Sequence, residues 1–168
     1  HLLTNRLFQV MTIEFRSIDQ SNYNECIELR VNESQEKFVA PNQYSLVQAA
    51  YEPNLYPLAM YNQSQMIGFI LYDFDEEIKG WSMSRFMIAE SYQNRGFGKQ
   101  ALKQFLKCFK ESYPHVLKLY TSAEVENTKA IELYKRAGFK EGDVFEYESG
   151  GVIYTEIRLL KSWGNSLS

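Results

Sequence analysis

The sequence is poor in residues that ligate metals or cross-link chains. Its 168 residues hold two cysteines, Cys26 and Cys108, and two histidines, His1 and His115. The cysteines form no C-x-x-C pair, and each stands among apolar residues at helical spacing, so both read as buried free thiols of a reduced, cytoplasmic protein. The histidines lie far apart, with no cysteine or carboxylate at ligand spacing, which predicts no metal site. No apolar run approaches the ~20 residues of a bilayer-spanning helix, and the start "HLLTNRLFQV" lacks a signal-peptide cleavage pattern. No membrane role is expected. Positive charge is not in excess either. The net charge of −3 argues against a nucleic-acid binder working by bulk charge and favours a small cationic partner. Repeats, low-complexity tracts and linkers are missing, so the chain reads as a single domain.

What is present is an apolar fraction of 45%, enough for a core, laid out in clear periodicities. The chain begins at His1, and Met11 is followed by the alternating run "TIEFRSI". Residues 1–10 are therefore expected to be an upstream extension, 11–161 the domain and 162–168 a frayed tail. The run from Thr12 to Ser17 alternates as a half-buried strand does. Apolar residues then recur at helical spacing from Asp19 to about Arg30, with Asp19 or Ser21 as the cap. "VNESQEKFVAPNQ" reads as a polar loop and "YSLVQAAYE" as a second helix stopped before Pro53. Three strand-like runs follow, "YPLAMYN", "QMIGFILYDF" and "WSMSRFMIAE", joined by connections of hairpin length. From Gly98 to Glu111 an apolar face of Ala101, Leu102, Phe105, Leu106 and Phe109 opposes a lysine face, which predicts an amphipathic helix. "HVLKLYTS" reads as a buried strand and "NTKAIELYKRAGF" as a helix that starts near Asn127 and stops at Gly138. "FKEGDVFEYES" and "VIYTEIRLL" close the domain as strands. The element order predicts an α+β (mixed α/β) fold on one central sheet.

One stretch stands out chemically. In "ESYQNRGFGKQAL", a strand runs through a short glycine-bearing turn into a helix. It is neither a P-loop nor a dinucleotide fingerprint, because neither glycine spacing fits. Yet a helix start presents unpaired N–H groups and a positive dipole end, and Gly96 and Gly98 let backbone approach an anion without a Cβ in the way. Arg95 and Lys99 add charge, so a pyrophosphate suits the turn.

Gln93-Asn94-Arg95-Gly96-Phe97-Gly98 matches the Q/R-x-x-G-x-G/A signature of the GNAT acyl-CoA-dependent N-acetyltransferases, and the chain resembles that family from Thr12 to Leu160. A second segment agrees: "ENTKAIELYKRAGFK" carries the Asn127, Ala130, Tyr134, Gly138-Phe139 pattern of the family's later coenzyme-binding helix. The resemblance implies a mostly antiparallel twisted sheet flanked by helices, with acetyl-CoA (coenzyme A) as donor. It places the pyrophosphate on Gln93, Asn94, Arg95, Gly96, Phe97, Gly98 and Lys99. The pantetheine arm would run beside Phe86, Met87 and Ile88, in a slot between that strand and "HVLKLYTS". Asn127, Lys129, Ala130 and Tyr134 would meet the coenzyme arm, with Tyr134 near the thioester sulfur.

Acetyl transfer to an amine needs a neutral amine, donors for the developing oxyanion and a proton for the leaving thiolate. Backbone N–H groups around Met87 and Ile88 serve the second need. Tyr134, with an ordinary phenol pKa of about 10, serves the third. No cysteine or histidine is placed as a covalent nucleophile, so direct attack in a ternary complex is expected. For removal of the amine proton, Glu33 and Glu36 in the polar loop and Asp73 and Glu76 near the meander turn are all candidates. Acidic residues cluster from Asp73 to Glu77 and at Glu146 and Glu148, and Tyr44, Tyr51, Tyr72, Phe74 and Trp81 are candidate partners for ammonium groups. At finer scale, "KFVAPNQYSLVQA" and "WSMSRFMIAESYQNRGFGKQAL" resemble bacterial spermine/spermidine (diamine) N-acetyltransferases. That likeness would bring Glu33, Glu36 and Trp81 to the acceptor, with Glu36 as the candidate catalytic carboxylate. Peptide or aminoglycoside acetylation and a non-catalytic acetyl-CoA sensor are the alternatives. Many relatives are dimers through their last strands, and the apolar "VIYTEIRLL" permits a homodimer here.

Overall fold

The computed structural model describes residues 12–164. The expected upstream extension, residues 1–10, and residues 165–168 of the expected tail lie outside them. Seven strands form one sheet in the order β1-β2-β3-β4-β5-β7-β6. These are β1 (Ile13–Ser17), β2 (Leu55–Asn62), β3 (Gln65–Asp75), β4 (Gly80–Ile88), β5 (Lys118–Glu124), β6 (Lys140–Ser149) and β7 (Val152–Ser162). Helices are α1 (Tyr23–Glu28), α2 (Asn42–Tyr51), α3 (Phe97–Ser112) and α4 (Thr128–Arg136). Every strand pair is antiparallel except β4 with β5.

The meander β2-β3-β4 forms where alternation and turn residues agree. Gln63 and Lys79 adopt the left-handed backbone in its two turns, at φ 57° and 48°. β3 is the centre of the molecule. Ile67 and Ile70 on one face join Leu102, Phe105 and Phe109 of α3, while Phe69 and Leu71 on the other join Cys26, Ala59 and Met87 beneath α1 and α2. The lysine-opposed apolar face of α3 is thus buried as its periodicity predicts. Asn127 caps α4, its side chain accepting from the Ala130 N–H at 3.3 Å. Gly138, at φ 98°, ends that helix in the left-handed region.

Four local readings change. The first helix is only six residues long and starts after Asn22. Asp19 instead closes the preceding turn, accepting from the Ser21 N–H at 2.7 Å. The polar loop contains a 3₁₀ helix, Glu33–Phe38, because the Asn32 side chain caps it by accepting from the Ser34 N–H. Cys108 is only half-buried, unlike Cys26, and both thiols are free. Ser162 and Trp163 are held rather than frayed. Trp163 stacks on Phe109 with centroids 6.0 Å apart, and its N–H donates to the Leu117 carbonyl at 2.9 Å.

Candidate active site

The parallel contact between β4 and β5 is short. It pairs Trp81 with Leu119, Ser82 with Tyr120 and Met83 with Thr121, and then stops. The two strands part from Ser84 onward. The cause lies in a bulge: β3 pairs Leu71 with Arg85 and Tyr72 with Met83, which leaves Ser84 as an extra residue on β4. Thr121 Oγ1 donates to the Met83 carbonyl at 2.8 Å, at the point where the fork opens. The result is a slot with unpaired β4 backbone on one side and β5 on the other.

Strand alternation decides which backbone groups face the slot. The Ala89 N–H donates to Ile67 of β3 at 2.8 Å, and the Met87 carbonyl lies against Gly68 of β3, where an added Cβ would stand 2.3 Å from it. Residues 87 and 89 therefore turn their backbone to β3, and Phe86 and Ile88 turn theirs to the slot. The oxyanion donor expected at Met87 faces the wrong way. Its physical reason is the antiparallel ladder, which uses alternate residues.

The glycine turn expected to hold the coenzyme sits directly past the slot. After a short 3₁₀ turn, Glu90–Tyr92, Asn94 and Gly96 take left-handed backbone at φ 59° and 83°. Gly96 is the N-cap of α3, so no side chain caps the helix start. Nothing lies within 4 Å of where a Cβ on Gly96 would stand. The turn therefore offers exposed helix N–H groups over open space, an arrangement that fits a pyrophosphate. Gln93 uses both amide hydrogens to brace it, donating to the Ile88 carbonyl at 2.8 Å and to Gln35 Oε1 at 2.9 Å. Lys129 Nζ donates to Asn94 Oδ1 at 3.3 Å, tying α4 to the same turn. The Arg95 guanidinium lies 5.2 Å from the centroid of the Phe97 ring, which is itself buried. A groove of about 500 Å³ runs on between α3 and α4. It touches this turn only at Lys99.

Tyr134 reaches the slot from α4. It is buried, with its ring edge-on to Phe86 at 6.5 Å. Burial pushes its phenol up to about 12. A hydrogen bond with the Thr121 side chain works the other way, and the Glu156 charge adds to the rise. The hydroxyl is thus firmly protonated at neutral pH, as a proton donor must be.

The expected acceptor residues divide. Glu33 and Glu36 lie on the 3₁₀ helix that Gln35 anchors to the coenzyme turn. Next to them, the Lys37 charge reaches Glu124 of β5. Trp81 belongs elsewhere, in the paired part of β4. Its ring packs 4.4 Å from Tyr113, 5.6 Å from Phe74 and 5.8 Å from Phe109, centroid to centroid. Tyr72 shares that cluster, and its hydroxyl lies 3.1 Å from that of Tyr113. Tyr44 and Tyr51 are exposed on α2. Asp73 is buried beside the bulge, bonded to Ser84 Oγ. Burial raises its pKa, with Asp75 and Glu52 adding to the rise and Ser84 and Arg85 opposing it. Glu76 sits in the turn after β3, away from the bulge.

The slot also brings together residues that sequence reading passed over. Ser122 and Glu124 share a face of β5, and Glu124 pairs directly with Glu156 of β7. Ser122 Oγ and the Tyr147 hydroxyl each donate to Glu156 at 2.7 Å. Burial, then the Glu156 charge, raises the Glu124 pKa. The alternation of "YTSAEVE" carried the facing of Ser122 and Glu124, but the pairing of β5 with β7 joins segments far apart in sequence.

Comparison with known proteins agrees with this geometry. Residues 15–139 match the model of the acetyltransferase (GNAT) family. The spermine/spermidine N(1)-acetyltransferase of Bacillus subtilis (strain 168) is 27% identical over 154 residues, covering 88% of this chain and all of that protein. The spermidine N-acetyltransferase of Vibrio cholerae, solved with CoA and spermine, superposes with a TM-score of 0.69 at 17% identity, over 89% of this chain and 95% of that one. The Escherichia coli ribosomal-protein-S18-alanine N-acetyltransferase superposes with a TM-score of 0.68 at 14% identity, over 94% and 99% of the two chains. With its forked sheet, its glycine turn at a helix start and its buried protonated tyrosine, the chain belongs to the GNAT acetyltransferase family and is an N-acetyltransferase that draws its acetyl group from acetyl-CoA.

Proposed function

We propose that this enzyme acetylates a primary amine of a polyamine such as spermine or spermidine, by direct attack in a ternary complex. The observation that carries the reading is the full-length likeness to the B. subtilis enzyme named for those acceptors. The carboxylates around the slot, Glu33, Glu36, Glu124 and Glu156, support it, because they favour a cationic acceptor.

When bound, acetyl-CoA supplies an acetyl thioester. The turn Gln93–Lys99 holds its pyrophosphate on the N–H groups opening α3, with Arg95 and Lys99 adding charge. Phe86 and Ile88 face the pantetheine arm, and their slot-side N–H groups are the donors for the developing oxyanion. Met87 contributes packing at that strand. Asn127, Lys129 and Ala130 line the arm from the start of α4. Tyr134 Oη donates the proton that the thiolate needs, and burial keeps that proton in place. Glu36 receives the amine's proton through water. Trp81 supports the site from the aromatic cluster behind it rather than by touching the acceptor. The free thiols of Cys26 and Cys108 support a cytoplasmic setting. β6 is an almost fully exposed edge strand, which supports a homodimer through the last two strands.

Release of coenzyme A from acetyl-CoA, followed with spermine, spermidine, an aminoglycoside and a peptide with a free N-terminus, tests the reading. Saturable turnover on the polyamines with little on the others is expected. Turnover on the peptide alone would move the assignment to protein N-terminal acetylation. The N-alpha-acetyltransferase of Sulfurisphaera tokodaii, 37% identical over 60 residues, 36% of this chain and 35% of that protein, makes that the second reading.

A further inference from the structure

Beside the slot lies a carboxylate that is fixed in place by hydroxyl groups and makes no ion pair among the described residues. Both oxygens of Glu156 accept a hydroxyl, one from Ser122 and one from Tyr147, each at 2.7 Å. These are neutral donors. They orient the carboxylate and leave lone pairs on both oxygens for a further N–H group. Glu124 stands directly opposite on the neighbouring strand. Like charges in that position are destabilising, and none of the ion pairs among the described residues includes either glutamate. Three cations stand near without pairing with either: Lys37 acts on Glu124 and Arg85 on Tyr147, while Arg158 lies over the Phe145 ring at 4.7 Å and is ion-paired to Asp143 instead.

Two further observations point to an organic cation rather than to chance acidity. First, the carboxylate sits on an aromatic wall. Tyr147 stacks on Tyr154 with centroids 5.2 Å apart at 18°, and Phe145 stacks behind Tyr147 at 6.3 Å. Carboxylate beside ring faces is the chemistry that holds alkylammonium groups. Second, the seat adjoins the fork: Ser122 directly follows Thr121, whose hydroxyl bonds the Met83 carbonyl at the point where β4 and β5 part.

We infer that Glu156, oriented by Tyr147 and Ser122 and backed by Glu124, seats a second, non-reacting ammonium of the acceptor, and so selects diamines and polyamines over monoamines. The inference rests on the proposed acetylation of polyamines and assigns the specificity of that same site. A nitrogen that stays protonated is held at Glu156 while a neighbouring nitrogen, a few carbons away, reaches the thioester. Tyr147 and Ser122 are positioning residues, because they act through Glu156.

The test measures kcat and KM for spermidine and for a simple alkyl monoamine, in the wild type, Glu156→Gln and Tyr147→Phe. The wild type is expected to prefer spermidine at least tenfold in kcat/KM. Glu156→Gln is expected to raise the spermidine KM tenfold or more and to lower the spermidine-to-monoamine ratio of kcat/KM by about tenfold, with the KM for acetyl-CoA unchanged. Tyr147→Phe, which keeps the stacked ring, is expected to show a smaller shift of the same kind. Equal effects of Glu156→Gln on both amines, or none on either, would overturn the inference while leaving polyamine acetylation standing. Wild-type turnover without preference for spermidine would overturn it too. A wild type that releases coenzyme A with neither amine would overturn the acetylation reading itself, and the inference with it.

Discussion

The chemistry rests on groups whose surroundings hold one protonation state. The role proposed for Tyr134 depends on burial, which carries the phenol from 10.0 up to about 12. The folded protein binds that proton more tightly than the unfolded chain does. Its contribution to stability is therefore complete below pH 10 and is lost as pH rises from about 10 to about 12. Asp73 follows the same sign in acid. Burial raises its pKa above 3.8, so the folded state favours the neutral acid and loses that advantage as pH rises through the raised value. At neutral pH the buried charge costs stability. Replacing it, as in Asp73→Asn, is expected to raise the melting temperature at pH 7 by a few degrees, about what 1 kcal/mol is worth in a domain of this size. The gain should vanish at pH 3. Calorimetric melts of both proteins at the two pH values check this, and a lower melting temperature for Asp73→Asn at pH 7 would contradict it. Tyr134 was legible from its place in "NTKAIELYKRAGF". Glu156 was not, because nothing local to "VIYTEIRLL" marks one glutamate as facing a slot built by other strands.

Among the elements, the β3-β4 pair governs the slot. The bulge at Ser84 turns β4 away from β5, and the close approach of Gly68 to β4 keeps the pair in register below it. A Cβ on Gly68 would meet the Met87 carbonyl at 2.3 Å and Met60 Cε at 2.8 Å. Backbone cannot yield there without opening the ladder. Gly68→Ala is expected to lose about 1–3 kcal/mol of stability, as overpacking in a core does. Denaturant unfolding measures it, and an unchanged midpoint would show that β4 is not held this way. Periodicity located each of these strands and the amphipathic α3, and the glycine turn stood out for its chemistry. The bulge and the 3₁₀ helix did not stand out. A bulge is a property of two strands in register, and the 3₁₀ helix depends on the Asn32 cap and on Gln35 meeting Gln93 across 58 positions of sequence.

At the scale of the molecule, one sheet organises two entrances to one slot. The glycine turn and α4 lie at one side, with Gly96, Asn94 and Lys129. The proposed acceptor side carries Glu33 and Glu36 on the 3₁₀ helix and Glu124, Glu156 and Tyr147 on the last strands. The hydrogen bonds of Gln93 to Ile88 and Gln35 join the two, so binding at the turn and the shape of the acceptor loop are physically connected. The order of the three meander strands, β2-β3-β4, followed from their hairpin-length connections. The insertion of β7 between β5 and β6 did not, since it places the last strand beside a partner more than thirty residues earlier in the chain. That insertion is what sets Glu156 opposite Glu124, and with it the chemistry least visible in the sequence.

In the proposed mechanism the fork between β4 and β5 delivers an acetyl group from acetyl-CoA to an amine, with Tyr134 as proton donor. The most direct measurement is the rate of coenzyme A release with saturating acetyl-CoA and spermidine, for the wild type and Tyr134→Phe, each checked for acetyl-CoA binding by calorimetry. Turnover by the wild type is expected, with about 10²–10³-fold slower turnover by Tyr134→Phe and coenzyme affinities that agree within a few-fold. Equal rates for the two proteins, with acetyl-CoA bound by both, would contradict it.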